Sequence, residues 1–153
     1  MTPEKEKTLL ERHPRFLKQR SLPATKSCLG RGIECDDGWF DLLDNCLTKI
    51  DAAYVRIPDV YKTEYFVTAA QIKEKFGGLR LYLDYSYDVN LPDPPALLDI
   101  LNAIKEAEQV SFETCETCGA PGSLRGKGWL RTACDSCDEK HKKRDRQWLI
   151  NQP

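Results

Sequence analysis

Four cysteines in two pairs constrain this chain more than any other feature. They read Cys115-Glu-Thr-Cys118, fifteen intervening residues, then Cys134-Asp-Ser-Cys137. Two C-x-x-C knuckles at this separation have the spacing by which four thiolates hold one tetrahedral Zn²⁺, each sulfur about 2.3 Å from the ion. Gly119 follows the first pair, where a turn around a metal often needs positive φ. Pro121-Gly122 and Gly126-Lys127-Gly128 punctuate a hairpin-like excursion between the pairs. Beyond Cys134, Asp135, Asp138 and Glu139 precede Lys140, Lys142, Lys143, Arg144 and Arg146, the charge order that complements a helix dipole. The second pair is therefore expected to open a C-terminal helix, as in a treble-clef zinc site. Four thiolates leave the ion no open position for water, so the expected role is structural. A redox reading of the pairs would want a thioredoxin-like βαβ pattern, and the sequence has none. His141 is within reach as a substitute ligand, but with four cysteines present it reads as a helix-surface residue.

At 153 residues the chain suits one compact domain, or a main body with a small zinc lobe. A 41% hydrophobic fraction supports a core, and a net charge of −1 gives no global reason to expect nucleic acid or an anionic membrane. No apolar run approaches the ~20 residues of a membrane span, and the N-terminal residues lack the apolar stretch of a secretory signal. Of seven cysteines, the metal spacing leaves Cys28, Cys35 and Cys46. An odd remainder beside a thiolate site favours a reducing cytoplasm, with a Cys28–Cys35 disulfide as the alternative. The expected organisation is a basic N-terminal arm or short helix over 1–27, an α+β body over 28–112, and a zinc-binding unit with its C-terminal helix over 113–153.

Within residues 1–27, Leu9, Leu10, His13, Phe16 and Leu17 recur at helical spacing, interrupted by Pro14. The surrounding basic residues suit phosphate or an acidic partner, or a solvated face. Positions 39, 42, 43, 46, 47 and 50 then trace one apolar helical face, with Asp36 or Asp37 expected to cap it. That carboxylate pair would also suit a metal or a base, but no acid or histidine cluster accompanies it. Residues 64–87 alternate around Gly77-Gly78, which predicts an antiparallel hairpin with those glycines as its two-residue loop. Phe76 then faces Leu79, Lys75 faces Arg80, Glu74 faces Leu81 and Lys73 faces Tyr82. Phe66, Ala70, Ile72, Phe76, Leu79, Leu81, Leu83 and Tyr85 fall on one face; Gln71, Lys73, Lys75, Arg80, Tyr82 and Asp84 fall on the other. Glu74 is the polar exception on the apolar face, expected at a rim or accepting a bond. Lys75 opposite Arg80 is unfavourable without a counter-charge, so Lys73, Lys75, Arg80 and Tyr82 form a candidate partner-binding face. Asn90–Pro95 reads as a stiff connector, and 96–110 as a helix whose apolar face covers the hairpin.

Gly38-Trp-Phe-Asp-Leu-Leu43, then Gln71-Ile-Lys-Glu-Lys-Phe-Gly-Gly-Leu-Arg80, then the cysteine quartet together resemble small uncharacterised phage and prophage proteins. The Asp36-Asp37-Gly38 turn departs from the glycine-aspartate-glycine turn of those proteins. The resemblance implies a viral or mobile-element context and transfers no activity.

The expected fold class is α+β: an antiparallel hairpin packed with helices, plus a C-terminal treble-clef-like zinc unit. The favoured function is a protein-binding factor, such as an inhibitor of a host defence or regulatory machine, acting on a host or phage protein. The alternative is a nucleic-acid-binding accessory protein, drawing on the basic N-terminal segment, the hairpin cations and Lys140–Arg146. An enzyme is the third class, since no nucleophile motif or phosphate-binding loop is visible.

Overall fold

A computed structural model describes residues 1–62, 66–85 and 94–150, the side chains of 148–150 excepted. The described chain holds four α-helices, α1 (Pro3–Arg12), α2 (Phe40–Val55), α3 (Pro95–Ser111) and α4 (Asp135–Ile150), and four strands, β1 (Val67–Lys75), β2 (Gly78–Tyr85), β3 (Ser123–Arg125) and β4 (Arg131–Ala133). The strands form two separate antiparallel hairpins, β1–β2 and β3–β4. The architecture is α+β. Most of the Asn90–Pro95 connector lies outside the described residues.

Packing of α2, α3 and the first hairpin builds the main core. Leu43, Leu47 and Ile50 from α2 and Ile100, Ala103 and Ala107 from α3 are buried with Ile72, Leu79 and Leu81. The N-terminal segment takes the helical one of its two expected forms. α1 ends at Arg12, before Pro14, whose ring disfavours a helical His13. Leu9 of α1 and Phe16 and Leu17 beyond it belong to the same core. His13, almost fully buried, faces Asp51 at 2.7 Å through Nδ1 and Asp44 at 3.1 Å through Nε2, and so fastens the end of α1 to α2.

The capping expectation for Asp36 and Asp37 is corrected. Neither carboxylate caps the 3₁₀ turn Asp37–Trp39 or α2. Asp37 instead accepts the Thr2 N–H at 2.7 Å, at the start of α1, where a negative charge complements the helix dipole. That bond, working against a small burial cost, holds the Asp37 carboxyl below its usual range. Asp36 accepts from the Thr117 hydroxyl at 3.4 Å, across to the cysteine unit.

An isolated two-stranded hairpin is marginal in water, and here both outer edges are covered. Along β1, Glu34 N–H donates to Ile72 O and Glu74 N–H to Glu34 O, each at 2.9 Å, and Ala69 N–H donates to Phe16 O. Along β2, Leu79 N–H donates to Ser111 Oγ at 2.9 Å and Leu81 N–H to Glu108 Oε1 at 3.3 Å, so α3 closes that side.

The hairpin register is also corrected. Lys75 pairs with Gly78, Glu74 with Leu79, Lys73 with Arg80, Ile72 with Leu81 and Gln71 with Tyr82. The turn residues are Phe76 (φ 56°) and Gly77 (φ 80°), both in the left-handed region. Gly78 is needed for a different reason: a Cβ there would lie 2.4 Å from Phe112 Cζ. Phe112 sits against that bare backbone and leaves the turn one residue earlier than the Gly-Gly pair suggests. The partner shift is two residues, so the side chains of residues 71–75 and 79–82 keep their faces, but Phe76, expected on the apolar face, lies exposed in the turn. A bulge at Ala70 then reverses the sequence-based parity, putting Ala69 opposite Leu83 and Val67 opposite Tyr85, where the expected partners are Ile72 and Ala70.

Adding a methyl at Gly78 should therefore displace Phe112 and not alter the turn. Gly78→Ala is expected to cost about 1–3 kcal/mol in chemical denaturation while leaving the hairpin's far-ultraviolet signature intact. An unchanged midpoint would remove Phe112 as the reason for this glycine.

Candidate metal centre and cationic hairpin face

The local chain after α3 folds back on itself through backbone bonds that converge on Cys115. Cys115 N–H donates to Ala120 O and Gly119 N–H to Cys115 O, both at 2.8 Å, and Glu116 N–H reaches Thr132 O on β4 at 3.0 Å. Gly119 takes φ 77°, the positive value the knuckle turn requires. β3 and β4 carry the chain to Cys134, and α4 starts at the next residue, with Cys137 in its first turn. The result is a knuckle, a short hairpin and a helix N-terminus meeting at one point.

The sulfurs of Cys115, Cys118, Cys134 and Cys137 all lie within 4.8 Å of one another. Cys118 and Cys134 are 3.7 Å apart, close to the ~3.8 Å edge of a tetrahedron with sulfurs ~2.3 Å from its centre. No disulfide joins any cysteine, so the set offers four thiols to one ion. The backbone N–H of Cys137 brings the Cys134 thiol down to about 7, as a helix N-terminus does for a thiolate. Burial, then bonds shared among the sulfurs, pushes Cys137 up to about 12. These four residues are positioned to coordinate a metal ion. His141 stands apart from the set: its Nε2 lies 3.2 Å from Thr117 Oγ1 and its Nδ1 3.1 Å from an Arg144 nitrogen. Of the remaining cysteines, Cys35 and Cys46 are buried and pushed up to about 12 by burial, which makes them poor nucleophiles.

The way this unit is fastened to the body was not anticipated from sequence. Gly38 N–H donates to Glu116 O at 2.7 Å, and the buried Trp39 indole donates to Thr114 O at 2.8 Å. A Cβ on Gly38 would lie 2.3 Å from Cys115 O, 2.4 Å from Gly119 N and 2.5 Å from Glu116 O. The Gly-Trp pair at the start of a helix was the available signal, but nothing local says which segment the glycine must admit.

Beside this junction a cleft of about 770 Å³ opens between body and cysteine unit, with Glu34, Asp36, Glu74 and Glu116 facing Trp129, Arg131, His141 and Arg144. Burial pushes Glu116 up to about 7; the Asp36 N–H opposes this, and the Asp36 and Glu74 carboxylates add to it. Glu74 also accepts the Gly77 N–H at 2.6 Å, which accounts for a carboxylate on the apolar side of the hairpin.

The structure brings together the four hairpin residues singled out from sequence, in a modified pairing. Lys73 stands opposite Arg80, and Tyr82 opposite Gln71. Each cation lies against a ring: Lys73 Nζ is 5.5 Å from the centre of Tyr82, Lys75 Nζ 5.4 Å from Phe76, and the Arg80 guanidinium 5.7 Å from Phe112. Among the described residues none of these three cations has a carboxylate within ion-pair distance. The other basic segments differ. Lys7, Arg12 and Arg20 are paired with Glu11, Asp44 and Glu6, and Lys142 of α4 with Asp138 and Glu139. Arg15 lies over the Tyr54 ring.

Two outcomes follow from the centre's construction. Serine at Cys115 or Cys137, the buried pair, should abolish stoichiometric metal and loosen the C-terminal unit, because metal affinity and folding are linked. Elemental analysis beside amide exchange of residues 113–147 checks both; full metal content in either variant would contradict the ligand set. Gly38→Ala should force the knuckle off the body at a cost of about 3 kcal/mol, read as a lowered thermal midpoint together with faster loss of metal to a chelator. No protein-family model, no curated protein and no solved structure matches this chain.

Proposed function

We propose that the cysteine centre holds one Zn²⁺ in a treble-clef-like structural unit, and that the protein is a binding factor for another protein, engaged through the cationic face of the first hairpin. A closed set of four thiolates suits zinc, and it leaves the ion no position for substrate. Iron also accepts four sulfurs, so elemental analysis of the purified protein decides the metal.

One observation carries the binding role. Lys73, Lys75 and Arg80 share a face with their charges uncompensated by any carboxylate among the described residues, each resting on an aromatic ring. Like charges opposite each other on a strand pair are unfavourable, and an external anion offsets them. Tyr82 and Phe76 stay exposed beside their cations, so the face offers both charge and aromatic surface. The near-neutral charge of the whole chain favours an acidic protein patch over a nucleic acid. The nucleic-acid alternative also loses support at the N-terminal segment, where Lys5, Lys7, Arg12 and Arg20 are paired with carboxylates of the same chain. The resemblance to phage proteins makes the expected partner a host or phage protein met in the host cytoplasm, and blocking a host defence or regulatory machine is a role such a factor would fill. The reading assigns binding and no catalytic step to the chain.

A single exposed ion pair contributes only ~0–1 kcal/mol, so one substitution is a poor test. The Lys73→Glu/Lys75→Glu/Arg80→Glu variant, with zinc content and thermal midpoint near wild type, should bind the protein partner recovered from host extract at least about tenfold more weakly. Unchanged affinity at low salt removes this face from the interface. Recovery that disappears on nuclease treatment, with a steep salt dependence, would instead support the nucleic-acid reading.

A further inference from the structure

Among the described residues Phe76 is the one non-glycine at positive φ, and it is 67% exposed. A bulky aromatic side chain in the left-handed region is an outlier that calls for a reason. Burial does not supply one. The turn beneath it is fixed instead: Glu74 accepts the Gly77 N–H, Thr132 Oγ1 donates to Gly77 O at 2.6 Å, and Leu124 Cδ1 lies 2.3 Å from where a Cβ on Gly77 would stand. The second hairpin thus grips the turn from below and holds Phe76 outward.

Next to this ring lies a pocket of about 240 Å³, formed by Glu74, Lys75, Phe76, Gly128, Trp129 and Leu130. Trp129 is itself 74% exposed. One patch therefore carries an aromatic knob, an apolar hole beside it, one carboxylate and one ammonium. A patch with a knob and a hole, and with both signs of charge, is complementary to itself. Two-fold symmetry needs that property, since each contact of one copy is repeated by the other.

We propose that this patch is a homodimer interface, in which the Phe76 ring of each copy enters the partner copy's pocket against Trp129 and Leu130. Lys75 of each copy meets Glu74 of the other at the rim. The contact is small, so the affinity is weak, with Kd on the order of micromolar or above. Dimerisation uses Lys75 and leaves Lys73 and Arg80 of each copy for the acidic partner, which would raise avidity for one with repeated acidic sites. The proposal does not depend on that partner.

The full-length, metal-loaded protein is the only reagent needed. Sedimentation velocity between about 10 and 500 µM should show a monomer–dimer equilibrium. In NMR spectra over the same range the Trp129 indole N–H should shift with concentration, while that of Trp39, buried and bonded to Thr114, should not. Phe76→Asn removes the knob and puts a residue that tolerates positive φ in the turn. It should abolish the dimer while leaving the thermal midpoint equal or raised by about 2–4 °C. Trp129→Ala should also give a monomer. The Lys73→Glu/Arg80→Glu variant, aimed at the external face, should still dimerise, so failure of the binding-factor reading and failure of this one are separable. A wild-type protein monomeric throughout the range, open-ended polymers, or a dimer that survives Phe76→Asn would each overturn the proposal.

Discussion

The seat of the cysteine unit on the body depends on the approach of Gly38 to the backbone of Cys115, Glu116 and Gly119. That contact leaves no room for a side chain, and the next residue, Trp39, is wholly buried with its one polar atom satisfied by Thr114 O. Burying a tryptophan removes roughly 150–250 Å² from water, worth about 4–6 kcal/mol as an upper figure. The single N–H···O bond from the indole adds about 1 kcal/mol net, but leaving it unmade would cost more than that. The Gly-Trp step therefore acts on two things at once. It completes the top of the main core, and it fixes the knuckle that presents two of the four thiols.

The first hairpin is the second element whose stability comes from elsewhere. Its own ladder is two strands wide, too little to hold alone in water. Glu34 supplies backbone partners on one edge and the C-terminal end of α3 supplies side-chain partners on the other. Gln19, buried, donates to Thr68 Oγ1 at 2.7 Å and to Asp84 at 2.8 Å, spanning both strands. Segments far apart in sequence are thus used to remove free strand edges, which would otherwise invite pairing with another chain. The cost is a small sheet that depends on partners distant in sequence.

How much was legible follows from which constraints are local. The thiol set was readable because a metal imposes spacing directly on sequence, and the apolar face of α2 because burial imposes a period of 3.6 residues. The hairpin's faces over residues 71–75 and 79–82 were readable for the same reason at period 2, and they survive a two-residue error in pairing that Phe76 does not. The turn itself was not. Two adjacent glycines look like one turn, but Gly77 serves the turn and Gly78 serves Phe112, some 30 residues away. The bulge at Ala70 leaves no local mark either. Asp36 and Asp37 were misread as caps because a carboxylate before a helix usually serves that helix. Here Asp37 serves α1 and Asp36 reaches Thr117, and both partners are set by tertiary packing.

The same long-range logic links the two sites. Thr132, buried on β4, accepts no outside role: its backbone carbonyl takes the Glu116 N–H of the knuckle and its hydroxyl holds Gly77 O at the hairpin tip. Leu124, on β3, fills the space under the same glycine. Among the described residues the second hairpin, three residues per strand, packs on Cys115, Ala133 and Cys137, with Cys134 against it. The four-thiol centre is therefore a main constraint on it. When the centre is closed, β4 is fixed, and Thr132 and Leu124 are fixed with it. The turn bearing Lys75 and Phe76 then has one geometry. When it is open, the turn keeps its Glu74 bond but loses its support from below, and the strain at Phe76 has less to oppose it. A metal held by the four thiols would in this way bear on how the turn of Lys75 and Phe76 is presented, through Thr132 and Leu124.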